Sequence, residues 1–190
     1  MRIIAGTLRS RTLQAPAGLA TRPTSDRLRE TLFNVLAPRI EGAIFLDLYA
    51  GSGAVGIEAL SRGAGHVDFV ERAPAALAVL RGNLAKLGLT AGFRIHEGSV
   101  GPVMRRMKPG TGSNFNIVFL DPPYDAAEEY TSTLNMFGGP QAGLRAPGAL
   151  LIAEHRKKER LGDEYGALGR TRILEQGDAA LSFYATRMGR

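Results

Sequence analysis

The chain has 190 residues, 44% hydrophobic and 22% charged, with a formal net charge of +6. That length suits one globular domain of roughly 100–200 residues. The balance of apolar and charged residues excludes wholesale disorder, and no apolar run approaches the roughly 18–20 residues that cross a bilayer. Zero cysteines exclude disulfide scaffolds, thiolate zinc sites, iron–sulfur clusters and any cysteine nucleophile. His66, His96 and His155 lie 30 and 59 residues apart, without ligand spacing, so no metal is expected. Met1-Arg2-Ile3-Ile4-Ala5-Gly6 lacks a signal-peptide core, and a cytoplasmic location is expected.

Residues 2–5 and 11–14 read as a short β-hairpin or extended arm turning at Gly6 and stopped by Pro16 and Gly18. A helix follows, with Thr24 or Ser25 as its cap and Asp26 in its first turn. Leu28, Leu32, Val35 and Leu36 recur along it at helical spacing until Pro38. From residue 43, apolar strand candidates (43–48, 66–71, 93–97, 116–121 and 149–154) alternate with helical patterns around 54–62, 74–87, 100–107 and 126–137. Such alternation predicts an α/β fold, a parallel sheet with helices on both faces. The tail differs: 172–176 and 180–186 flank Gly177-Asp178 and predict an antiparallel hairpin. Residues 109–114 have a loose-loop composition.

The positive charge is concentrated. Residues 1–39 hold seven arginines against Asp26 and Glu30, whereas residues 40–190 hold 17 Lys/Arg against 16 Asp/Glu. Arginine suits forked contacts to phosphates and base edges, so a polyanion such as RNA or DNA is the expected partner. Residues 155–160, a second basic cluster, read as a solvated loop.

The first strand of the alternating region runs into Asp47-Leu48-Tyr49-Ala50-Gly51-Ser52-Gly53-Ala54-Val55-Gly56. Gly51, Gly53 and Gly56 form a G-x-G-x-x-G turn between strand and helix, and Glu71 ends the next strand, 20 residues after Gly51. The glycines admit a ligand to the backbone, the helix start offers N–H groups, and the distant carboxylate accepts from ribose hydroxyls. This pattern alone fits a dinucleotide or S-adenosylmethionine. Asp47 favours the latter: at the strand tip it would neutralise an amino-acid ammonium but repel a pyrophosphate.

The fourth strand delivers Asp121-Pro122-Pro123-Tyr124 to its carboxyl end, the ligand-binding edge of an open α/β sheet. A nucleobase amine is a poor nucleophile because its lone pair is delocalised into the ring. The Asp121 carboxylate and the Pro122 carbonyl can each accept one of its hydrogens, favouring a pyramidal nitrogen with an outward lone pair. The prolines fix φ, and Tyr124 offers a face for stacking the base.

Asp47–Gly56 with Asp121–Tyr124 resembles the S-adenosylmethionine-dependent amino-methyltransferases of the Rossmann-like class. Residues 1–6 and Arg22-Pro23-Thr24-Ser25-Asp26-Arg27-Leu28-Arg29-Glu30-Thr31-Leu32-Phe33-Asn34 narrow the resemblance to bacterial 16S rRNA guanine-N2 methyltransferases that modify guanine 966. It spans nearly the whole chain. It implies a seven-stranded sheet of order 3-2-1-4-5-7-6 with strand seven antiparallel. It also implies a basic arm and helix over 1–40 packed on a catalytic domain over 41–190. The expected cofactor contacts are Asp47, Tyr49, Ala50, Gly51, Ser52, Gly53, Gly56, Glu71, Arg72, Ser99 and Asp121. Ser99 is included because Gly98-Ser99-Val100 stands where many methyltransferases carry an acid for the adenine amine. Asp121, Pro122, Pro123 and Tyr124 are the expected catalytic group. Arg9, Arg11, Arg22, Thr24, Arg27, Arg29 and Tyr124 are the expected substrate contacts, with 16S rRNA in an assembling small subunit as partner, and ribosomal proteins possible further partners.

The tetrad also fits DNA adenine-N6 methyltransferases; the arginine-rich N-terminal signature favours rRNA. A non-catalytic rRNA-binding assembly factor and an NAD enzyme are further readings. C5-cytosine methylation is set aside for want of a cysteine. His155, after Glu154, reads as a structural or surface histidine outside the site.

Overall fold

The computed structural model describes residues 1–15, 25–109, 114–123 and 127–187. The readings placed on Arg22, Thr24 and Tyr124, on the stop at Pro16 and Gly18 and on the loop 110–113 lie outside them. In the arm, the Ile3 N–H donates to Arg11 O at 2.9 Å, the Leu13 N–H donates to Met1 O at 3.0 Å, and one antiparallel bridge joins Arg2 to Thr12. The expected hairpin is therefore present as a minimal pairing. Helix α1 (Asp26–Leu36) is capped by Ser25, whose hydroxyl accepts from the Leu28 N–H at 3.1 Å.

The alternation of β1 (Ile44–Leu48), α2 (Ala54–Ser61), β2 (His66–Glu71), α3 (Pro74–Lys86), β3 (Phe93–Glu97), α4 (Val100–Arg106), β4 (Phe115–Leu120), α5 (Ala127–Gly138) and β5 (Arg145–Arg156) builds the parallel part of the sheet. The chain then returns through β6 (Glu164–Tyr165), β7 (Leu168–Gln176) and β8 (Ala179–Thr186). The spatial order is β3-β2-β1-β4-β5-β8-β7-β6. Eight strands stand where seven were expected because two residues, 164–165, pair with the start of β7 at the edge. Apart from that edge pair the order is the expected one, with β8 antiparallel between β5 and β7. The β7–β8 turn falls at Gly177-Asp178.

Period-two alternation sends neighbouring side chains of each strand to opposite faces. Phe45, Phe69, Phe119, Ile152 and Phe183 bury one face beneath α1, α2 and α3. Leu46, Val70, Leu120 and Leu151 bury the other beneath α4 and α5. Ile3, Leu13, Leu28, Leu32 and Phe33 belong to the first core, so arm and α1 pack on the sheet layer. Among the described residues no helix is long and apolar enough to cross a membrane.

His155 is the structural histidine of the two readings offered. It is buried, its Nε2 lies 2.9 Å from Ser182 Oγ, and its ring packs edge-on against Tyr130. The 155–160 cluster is a solvated loop only from Lys157, since His155 and Arg156 end β5.

Candidate active site

Strand order reverses between β1 and β4, which pair in parallel with Leu48 beside Leu120. The segments leaving those strands therefore diverge to opposite sides and leave a crevice at their carboxyl ends. A cleft of ≈ 400 Å³ occupies this place, and Asp47, Glu71, Asp121, Pro122 and Pro123 all line it. Tyr49, Ala50, Gly51, Ser52, Arg72 and Ser99 line it too.

The turn after β1 is built from left-handed residues. Tyr49, Gly51 and Gly53 have φ of 61°, 56° and 79°. Glycine adopts this region freely, whereas Tyr49 does so against its Cβ. Its hydroxyl donates to Glu129 Oε2 at 2.8 Å and lies 3.0 Å from Thr133 Oγ1, tying the turn to α5. Glu71 holds the other side: Oε2 accepts from the Gly51 N–H, and Oε1 accepts from the N–H groups of Arg72 and Ala73, each at 2.8 Å. A carboxylate offers about four acceptor sites, so these bonds orient it and leave capacity for a ribose hydroxyl.

Gly53 and Gly56 stand apart from the other expected cofactor contacts. Neither lines the cleft. A Cβ on Gly53 would stand 2.3 Å from Leu80 Cδ1, and one on Gly56 2.3 Å from the Phe69 ring. Both glycines serve the close packing of the turn and α2 against the molecule behind it. Gly56 still acts at one remove, because its N–H donates to Asp47 Oδ2 at 2.9 Å.

Asp47 is 1% exposed. Burial, opposed by that bond and assisted by the Glu71 charge, pushes its carboxyl up to about 8. Burial, together with the Glu154 and Asp47 carboxylates, also pushes Asp121 well above the ordinary carboxylate range. The register explains the crowding. Ala153 of β5 pairs with Leu120, which sets Glu154 beside Asp121, and alternation places Asp47, Asp121 and Glu154 on one face of three adjacent strands. Crowded, desolvated acids of this kind favour a cationic ligand. A sulfonium that also carries an ammonium meets that demand; an anionic pyrophosphate does not.

The substrate set divides. Arg9, Arg11 and Arg27 are exposed. Arg9 and Arg27 join Arg2 and Arg62 around a groove of ≈ 620 Å³ between arm and α1. Arg29 is a correction: it is 0% exposed and so does not reach a ligand outside the molecule. Its Nη2 donates to Asp26 Oδ1 at 3.0 Å and to the Arg2 carbonyl, and its Nε lies 3.7 Å from Glu58 Oε2. Burial lowers its pKa, with Glu58 and Asp26 acting in the opposite direction.

Several residues of the site escaped sequence reasoning. Met1 and Ala15 bring the arm to the cleft, and Glu129 brings α5. Glu129 looks from sequence like an ordinary acid in the first turn of a helix. Glu58, a lone charge in the otherwise apolar run of α2, was the one visible sign of the buried network that holds the arm.

A doubly wound sheet with a glycine turn, a carboxylate at the end of the neighbouring strand and an acid-proline exit, all opening on one crevice, is the architecture of an S-adenosylmethionine-dependent methyltransferase. Comparison with known proteins agrees. The family model described as "Conserved hypothetical protein 95" matches residues 1–185. YlbH of Bacillus subtilis is 36% identical over 188 residues, 98% of this chain and 100% of its own. The Haemophilus influenzae ribosomal RNA small subunit methyltransferase D is 37% identical over 165 residues, covering 85% of this chain and 81% of that protein. The solved structure of Escherichia coli YhhF superposes with a TM-score of 0.83 at 34% identity, covering 98% and 97% of the two chains. The chain belongs to this family, that of the small-subunit ribosomal RNA methyltransferases D.

Proposed function

We propose that this chain is an rRNA methyltransferase that places a methyl group on the exocyclic N2 amine of a guanine, guanine 966, in the 16S rRNA of an assembling small subunit. One observation carries the reading: Asp121 and Pro122 line a single cleft with Asp47 and the glycine turn. That shared lining supports a reading in which acceptor and donor ends lie side by side. The donor, when bound, supplies an electrophilic methyl group on a positively charged sulfur. Glu71 and the Gly51 turn fit its ribose, and Gly98-Ser99-Val100 borders the same cleft for its adenine.

The chain's own part is alignment and charge. Asp121 accepts one amine hydrogen and the Pro122 carbonyl the other. That pair turns the nitrogen lone pair toward the donor and stabilises the positive charge that builds on nitrogen. Tyr124 stacks on the extruded base. The base must leave its helix to enter, so a splayed loop nucleotide is the fitting substrate. Arg9, Arg11, Arg22, Thr24 and Arg27 serve the flanking RNA.

The test is mass spectrometry of 16S rRNA from cells lacking the protein. One N2-methylguanosine is missing, and it returns on complementation with the wild-type gene. It does not return with Asp121→Ala, for which purified enzyme loses on the order of 10²–10³ in methyl transfer to small-subunit particles. A full complement of methylguanosine in the deleted strain overturns the assignment, and methyl transfer to naked DNA in preference to particles replaces it with the adenine-N6 reading.

A further inference from the structure

The acid-proline tetrad presents an amine but does not say which base carries it: guanine N2 and adenine N6 are both exocyclic amines on a purine ring. What separates them is the neighbouring ring nitrogen. In guanine the N1 beside the reactive amine bears a hydrogen; in adenine the N1 beside N6 bears a lone pair. A site that selects guanine therefore needs an acceptor next to the group that receives the amine hydrogens.

Glu129 fits that requirement. It is half-buried on the first turn of α5 and lines the cleft with Asp121, Pro122 and Pro123. Its carboxylate is held in place. The Tyr49 hydroxyl has a single hydrogen, given to Glu129 Oε2 at 2.8 Å. The Thr133 hydroxyl, 3.0 Å away, is then the donor to Tyr49, so a directed chain runs from Thr133 through Tyr49 to Glu129. Thr133 is 1% exposed, so the chain is anchored in the core under α5. One bond from Tyr49 uses one of about four acceptor positions on the carboxylate.

We propose that Glu129 is the specificity-determining residue of this enzyme, its carboxylate accepting the N1–H of the target guanine, and that Tyr49 is the positioning residue that aims it. The proposal deepens the guanine-N2 reading and rests on it. A carboxylate here attracts guanine and repels any purine whose N1 carries a lone pair, whatever amine stands beside it.

The experiment uses full-length enzyme and small-subunit particles reconstituted with guanine or with 2,6-diaminopurine at the target position. The second base keeps the 2-amino group and has a lone pair on N1. Wild-type enzyme transfers methyl to guanine in preference to diaminopurine by roughly 10–100-fold, the scale of one charge-assisted hydrogen bond lost with its acceptor left unpaired. Glu129→Gln, whose amide can donate to N1, moves that ratio toward diaminopurine by tenfold or more, and Tyr49→Phe reduces it by a smaller factor. A Glu129→Gln ratio equal to that of wild type overturns the proposal. So does an unaltered ratio accompanied by weaker binding of S-adenosylhomocysteine, which would assign the carboxylate to the donor. Wild-type enzyme inactive on both particles would instead bring down the guanine-N2 reading itself, an outcome distinct from either.

Discussion

Asp47 is held in two ways that oppose each other: burial favours its protonated form, and the Gly56 N–H favours the carboxylate. With its carboxyl at about 8, the ligand-free protein carries a proton there across neutral pH. The folded value lies above the ordinary carboxylate range, so the folded state binds this proton more tightly than the unfolded chain does. The stability it contributes is complete at acid pH and is lost as pH rises toward and through about 8. Thermal unfolding of the ligand-free protein between pH 5 and 8.5 is expected to show this decline, and Asp47→Asn to flatten it. Ligand affinity runs the other way. An ammonium needs the ionised carboxylate, so S-adenosylhomocysteine binds more tightly as pH approaches 8, by up to about tenfold per unit. Calorimetry over the same range checks both slopes.

Helix α2 carries a different function at each end. Its first turn receives the glycine turn, and its Glu58 and Ser61 receive the arm. The Ile4 and Ala5 N–H groups donate to the two Glu58 oxygens at 2.8 and 3.0 Å, Arg62 Nε donates to Oε1 at 2.7 Å, and the Ser61 hydroxyl donates to the Ala5 carbonyl at 2.6 Å. Gly6 lets the arm come this close: its φ is 84°, and a Cβ there would stand 1.7 Å from the Ser61 carbonyl oxygen. Gly6→Ala therefore costs about 1–2 kcal/mol in backbone conformation alone, and the clash forces the arm off α2. Urea unfolding should show the loss of stability, and binding to small-subunit particles should fall with it. This contact marks the limit of what sequence reveals. The alternating elements, the terminal hairpin and the cleft acids were legible because strand, turn and helix patterns are local and the two motifs carry their own chemistry. Arg29 was misread because α1 shows its arginines in one cluster, and only the fold turns one of them inward to Glu58, 29 residues on. Gly53 and Gly56 match the motif, yet their neighbours Leu80 and Phe69 come from α3 and β2. Glu129 joins Tyr49 across 80 residues, a pairing that no local spacing announces.

At the scale of the molecule, charge and cleft are divided between two surfaces that the arm connects. Arg9 and Arg27 border the groove against α1, while Met1 and Ala15 of the same arm border the donor cleft. Phosphate contacts release counterions, so affinity for RNA should fall linearly on a logarithmic salt scale. Replacing Arg9 and Arg27 with alanine should make that slope shallower by about 2, one for each lost contact. Filter binding at several salt concentrations measures it, and an unchanged slope would place the RNA elsewhere. The row formed by Asp47, Asp121 and Glu154 bears on turnover. A positively charged sulfur bound beside these acids would favour their ionised forms, and a neutral thioether in its place would not. These acids would then hold the spent donor less tightly than a fresh one, so the charges that draw the donor in would also favour its exchange after each turnover.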